Sequence, residues 1–204
     1  MANTVSVPDV NLEKLREAIR CEYREVARAP GKGFHFHTGR KLAEIVGYRD
    51  EWLAGIPEIA IESFAGTGNP FSIGRLRQGE KVLDLGCGAG IDSLIAARQV
   101  GDKGAVVGID MTTEMLDKAK RACKEMGLRH VEFRRGYLED IPVDDAWADA
   151  VISNGTVNLC PDKNKVFGEV YRVLKPGGRV QIADIMVAKP VPEDAKSDIA
   201  LWTG

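Results

Sequence analysis

The stretch at residues 82–91, VLDLGCGAGI, constrains the fold more than any other in the chain: a short, mostly apolar run breaks into three glycines and then resumes with helical spacing. From there the pattern repeats. Residues 81–85 read as a strand, 92–100 as a helix, 105–109 as a strand, 113–127 as a helix and 131–134 as a strand. A strand at 148–153 and a helix at 164–174 follow, and after an LKPGG turn a last strand spans 179–185. Strands and helices alternating at this spacing form parallel βαβ units with right-handed crossovers. The expectation is an α/β fold with a doubly wound, mostly parallel five-stranded sheet.

Residues 1–78 are organised differently and read as an N-terminal helical cap ahead of a sheet domain at 79–204. Leu12, Leu15, Ile19, Tyr23 and Val26 recur at steps of three and four, which predicts an amphipathic helix with Asn11 as its cap. A Pro/Gly break, APGKGFHFHTG, separates it from short helices at 41–46 and 50–53. The glycine-rich ESFAGTGNP at 62–70 then reads as a loop.

The glycine turn suits an adenine-containing cofactor, and the residues around it narrow the choice. A nicotinamide fingerprint requires Gly-x-Gly-x-x-Gly or Ala, whereas here Gly86, Gly88 and Gly90 are followed by Ile91. Asp84, two residues before the first glycine, would repel a pyrophosphate on the same loop. It suits the cationic sulfonium and ammonium of S-adenosylmethionine, and Cys87 belongs to the same loop. Asp110, at the end of the second strand and twenty residues after Gly90, is placed to accept ribose hydroxyls, with Met111 beside it. Leu138 and Glu139, after the third strand, are candidates to border the adenine. Ser153 and Asn154, after the fourth, stand near where a transferable methyl would lie.

The segments VLDLGCGAGIDSLIAA, VVGIDMTTEMLDKA, GYLEDIPV, VISNGTVNLCPDK and VFGEVYRVLKPGGRVQIADI resemble, in order, the motifs of class I S-adenosylmethionine-dependent methyltransferases, and arsenite methyltransferases in particular. The resemblance covers about residues 64–204. It implies a Rossmann-like methyltransferase fold, S-adenosylmethionine as cofactor, S-adenosylhomocysteine as product and a small-molecule methyl acceptor. It also implies thiolates that hold arsenic(III), a soft ligand set for a soft metalloid. This chain departs at the matched positions: Thr67 stands in the Gly-x-Gly-x-Pro loop, Gly155 follows Ser153-Asn154, and the segment preceding the third thiol is Leu201-Trp202-Thr203-Gly204. About twenty residues follow the fifth strand, too few for the usual closing hairpin. The hairpin is therefore expected to be missing, by truncation or by leaving an exposed sheet edge open to a homodimer.

For catalysis the sequence names no residue outright. His35 and His37 flank Phe36 and face one way on an extended segment, either over the site or as part of a surface loop. Cys160 is either a ligand for a soft substrate or a buried apolar thiol. Tyr23, Trp52 and Phe64 read either as a lid over the cofactor or as core, the commoner place for such aromatics. The four cysteines lack any CxxC pair, so no metal site is expected. A net charge of −2 with mixed signs argues against nucleic acid as partner. With no membrane span or leader pattern, the expected location is cytoplasmic. Two other readings stay open: a cofactor-binding domain without turnover, and an NAD-dependent oxidoreductase.

Overall fold

The computed structural model of the chain describes residues 10–203. Five strands, β1 (Lys81–Leu85), β2 (Ala105–Asp110), β3 (Val131–Arg135), β4 (Ala148–Asn154) and β5 (Leu174–Ala183), form one sheet in the order β3-β2-β1-β4-β5. Every neighbouring pair is parallel. The order reverses direction beside β1, which opens a crevice at the carboxyl ends of the strands.

Helices cover both faces, so the central strands are buried on both sides and read as continuous apolar runs. Val82 points to the face covered by α5 (Ile91–Val100) and α6 (Thr113–Glu125), where it meets Val106, Ile152 and Leu94. Leu83 and Leu85 point the other way, toward α7 (Lys163–Val173), and pack with Val107, Ile109 and Val166. This alternation is the period of two that a strand imposes.

The N-terminal segment builds α1 (Leu12–Arg28), α2 (Gly39–Ile45), α3 (Asp50–Leu53) and α4 (Glu58–Ile61). Asn11 caps α1 as expected, its side chain accepting from Lys14 N at 2.9 Å. Tyr48, Leu53, Ile61, Phe64 and Phe71 share one core with α5, so this segment is packed into the sheet's helical layer. Arg24 and Arg28 of α1 pair with Glu114 of α6 at 3.2 and 2.9 Å. These contacts lay α1 across the crevice.

The structure differs from expectation in two places. The four-residue α4 is too short to leave a period in the sequence. The expected LKPGG turn lies inside β5: Leu174 pairs with Ala148 and Arg179 with Ala150, so residues 175–178 bulge out of one continuous ladder. After β5 the chain forms α8 (Glu193–Ser197) and α9 (Ala200–Thr203). No closing hairpin follows β5, and its outer side carries no strand among the described residues. No helix among these residues is long and apolar enough to cross a membrane.

Candidate functional site

The crevice measures about 1000 Å³ with its open mouth, at the upper end of the range for small-molecule sites. Its floor is the glycine turn. Gly86 has φ +69°, and a β-carbon there would collide with the Thr156 side chain, so the turn passes tight under the loop after β4. A β-carbon on Gly88 would meet nothing within 4 Å, which leaves its backbone open to the crevice. Apolar residues of α1, among them Leu12, Leu15 and Ile19, form the roof.

Asp110 holds the turn in place: its Oδ2 accepts from Gly88 N at 2.9 Å and its Oδ1 from Thr112 N at 2.8 Å. Met111, Leu138 and Glu139 line the adjoining wall. Glu139 is met from the roof by Arg16, whose Nη2 lies 3.2 Å from its Oε2 while the guanidinium stacks 3.9 Å above the Tyr137 ring. The roof is thus latched to the loop after β3.

Three buried or half-buried carboxylates surround the floor, and burial pushes all three upward from the usual range: Asp84 well above it, Asp92 to about 6, and Asp110 in the same direction. Their hydrogen-bond donors are uncharged. Asp84 accepts from Ser93 Oγ at 2.6 Å. Asp92 accepts from the Tyr48 phenol at 2.5 Å and from Asn154 Nδ2 at 3.2 Å. Carboxylates buried without a cation are costly, and a cationic ligand would relieve them.

Of the residues expected at the site, Gly86, Cys87, Gly88, Asp110, Met111, Leu138, Glu139, Asn154 and Cys160 line the crevice. Asp84, Gly90 and Ser153 stand behind the wall: Ser153 Oγ donates to Leu85 O at 3.1 Å, and Gly90 caps α5 at φ +92°. His35 and His37 fall outside it. They are exposed on the loop after α1, where Phe34 and Phe36 turn inward to stack near Tyr23. Cys160 is in place, but burial and the neighbouring Glu139 push its thiol up to about 12, so it stays protonated.

Asp92, Tyr48 and Arg16 escaped the sequence reading. Asp92 left one usable signal, an acid in the first turn of the helix that the glycine turn opens. Tyr48 and Arg16 left none, because only tertiary packing brings Arg16 over the crevice and Tyr48 against Asp92.

Residues 76–203 match the family model described as a methyltransferase domain. An arsenite methyltransferase of Halobacterium salinarum is 38% identical over 99% of this chain and 55% of its own length. The human arsenite methyltransferase is 36% identical over 59% of this chain and 35% of its own. Among solved structures, an arsenic(III) S-adenosylmethionine methyltransferase from Chlamydomonas reinhardtii superposes with a TM-score of 0.66 at 38% identity, covering 72% of this chain and 51% of that one. A SAM-dependent methyltransferase from Aquifex aeolicus gives 0.53 at 30%, covering 62% and 70%. A parallel sheet with an acid-floored crevice at its strand ends defines the class, and the chain belongs to the methyltransferase domain family. It spans about half the length of the arsenite methyltransferase from Halobacterium.

Proposed function

We propose that this chain binds S-adenosylmethionine in the crevice and transfers its methyl group to a small-molecule acceptor. The observation that carries the reading is the ring of buried carboxylates with uncharged partners around an open glycine turn. It fits a ligand that brings positive charge and no phosphate. Identity of 38% to one arsenite methyltransferase over nearly the whole chain supports the same assignment.

When bound, the cofactor supplies an electrophilic methyl on a sulfonium. Asp110 would receive the ribose hydroxyls, Met111 and Leu138 would cover the adenine, and Glu139 with the nearby backbone would receive its exocyclic amine. Asn154 and Gly155 would border the methyl. The roof residues Leu12, Leu15 and Ile19 exclude water from a step in which positive charge leaves the sulfur, and so favour it. Holding acceptor and methyl in line is the chain's main contribution to rate. We place the division of roles near residue 78, with residues 1–78 as cap and 79–204 as the cofactor-binding part.

Calorimetry with S-adenosylmethionine and S-adenosylhomocysteine, paired with an assay for methyl release, tests the reading. Binding of both with product formation on a panel of small acceptors is expected. Binding without turnover on any acceptor would assign a cofactor-binding domain instead. Stabilisation by NADH above that by S-adenosylhomocysteine would end the reading.

A further inference from the structure

Asn154, the last residue of β4, has no hydrogen-bonding capacity to spare. Its Oδ1 accepts from Thr67 N at 2.9 Å and from Gly68 N at 3.1 Å, which uses both lone pairs. Its Nδ2 donates to Gly68 O at 2.9 Å, Tyr48 Oη at 3.0 Å and Asp92 Oδ2 at 3.2 Å, so its two hydrogens are shared among more partners than they can fully serve. Most of these bonds go to one short stretch of backbone, the loop at residues 66–68 ahead of β1.

That loop is seated on the strand ends as closely as its glycines permit. A β-carbon on Gly66 would stand 2.4 Å from Asn154 Nδ2, and one on Gly68 would stand 2.8 Å from Cβ of Ala183 at the end of β5. Ala65 and Gly66 line the crevice beside Asn154, so the place of this loop is the place of the crevice wall.

Resting on the assignment of the crevice to methyl transfer, we infer that Asn154 is a positioning residue: it clamps the loop at 66–68 to β4, fixes the wall on the methyl acceptor's side, and gives no hydrogen bond to the cofactor. To bind a ligand, an amide engaged at every site would first have to release the loop and leave its backbone groups unpaired. As a clamp it gives up nothing. A wall held to within an ångström fixes the line along which an acceptor meets the methyl, and small misplacements there cost rate.

Nitrogen-15 NMR of the wild-type protein gives the first reading. On saturation with S-adenosylhomocysteine the side-chain amide signals of Asn154 should stay in place while the backbone signal of Gly88, open to the crevice, moves. In N154A, amide exchange at Thr67 and Gly68 should quicken about 30-fold or more while that of β1 stays unchanged. Calorimetric affinity for S-adenosylhomocysteine should change by less than about threefold, whereas loss of a hydrogen bond to the ligand would cost about tenfold. With a panel acceptor that the wild type methylates, kcat/KM for that acceptor should fall about tenfold or more, and KM for S-adenosylmethionine should hold. G66A crowds the loop off Asn154 while keeping the amide, so it should reproduce the exchange pattern, and it carries the test if N154A does not fold. An Asn154 amide signal that moves with S-adenosylhomocysteine, a loss of its affinity on the scale of a broken ligand bond, an unchanged kcat/KM, or unchanged exchange at Thr67 and Gly68 would overturn the inference. Wild-type protein that binds no S-adenosylhomocysteine would overturn the cofactor reading itself, a separate result.

Discussion

A β-carbon built on Gly155 would stand 2.9 Å from Cγ2 of Thr67, so two positions far apart in sequence are side by side at the crevice edge. These are the two positions where the likeness to arsenite methyltransferases implies thiolates. This chain offers no soft ligand at either position, for threonine carries a hydroxyl and glycine no side chain.

It follows that the wild-type chain should not retain arsenic(III) through gel filtration, whereas T67C/G155C should carry about one equivalent by elemental analysis. Gly155 sits at φ +69°, so the cysteine there should cost about 1–2 kcal/mol of stability. Equal arsenic in wild type and in the double variant would show that these positions do not form a ligand pair.

The pH dependence of stability has a definite sign. Asp92 is raised from 3.8 to about 6, so the folded state holds more protons than the unfolded state between those values. Its contribution is fully present below about pH 4 and is lost as pH rises through 6. D92N should remove the effect and raise the melting temperature at pH 8, by a free energy on the order of 1–3 kcal/mol. The two proteins should melt alike near pH 4, and a difference independent of pH would refute the assignment.

Arg16 latches the roof by stacking on Tyr137 and pairing with Glu139. R16A should free α1 by about 1 kcal/mol, since the contact is only partly buried. Amide exchange in α1 should quicken about fivefold while exchange in β1 stays unchanged. Uniform acceleration would mean that Arg16 supports the whole fold and not the roof.

Gly90 has φ +92°, and a β-carbon there would lie 2.9 Å from that of Ala119 on α6. G90A should therefore destabilise by about 2 kcal/mol or more through strain and overpacking together. Denaturant unfolding reads it directly, and a loss below about 0.5 kcal/mol would show that α5 and α6 can part without cost.

Much of the fold could be read ahead of the structure because fully buried parallel strands and the helices between them leave strong periods. The short α4 and the bulge at residues 175–178 could not be, since neither leaves one. The site was half legible. Asp110 and Leu138 follow from strand ends alone. For His35 and His37 alternation says that two side chains face one way without saying which way, so site and surface loop both stayed open; in the structure Phe34 and Phe36 take the inward side.

The acids show where the division falls. The sequence by itself determined that an acidic glycine turn would open a helix at the carboxyl edge of a parallel sheet, because backbone sterics and side-chain period act locally. It also determined, by parity, that Asp84 shares the face of Val82, which α5 covers. Only the tertiary structure decided that Asp92 looks into the crevice. That direction depends on Tyr48 and Asn154, which lie 44 and 62 residues away along the chain and hold the carboxylate by hydrogen bonds that no local pattern encodes.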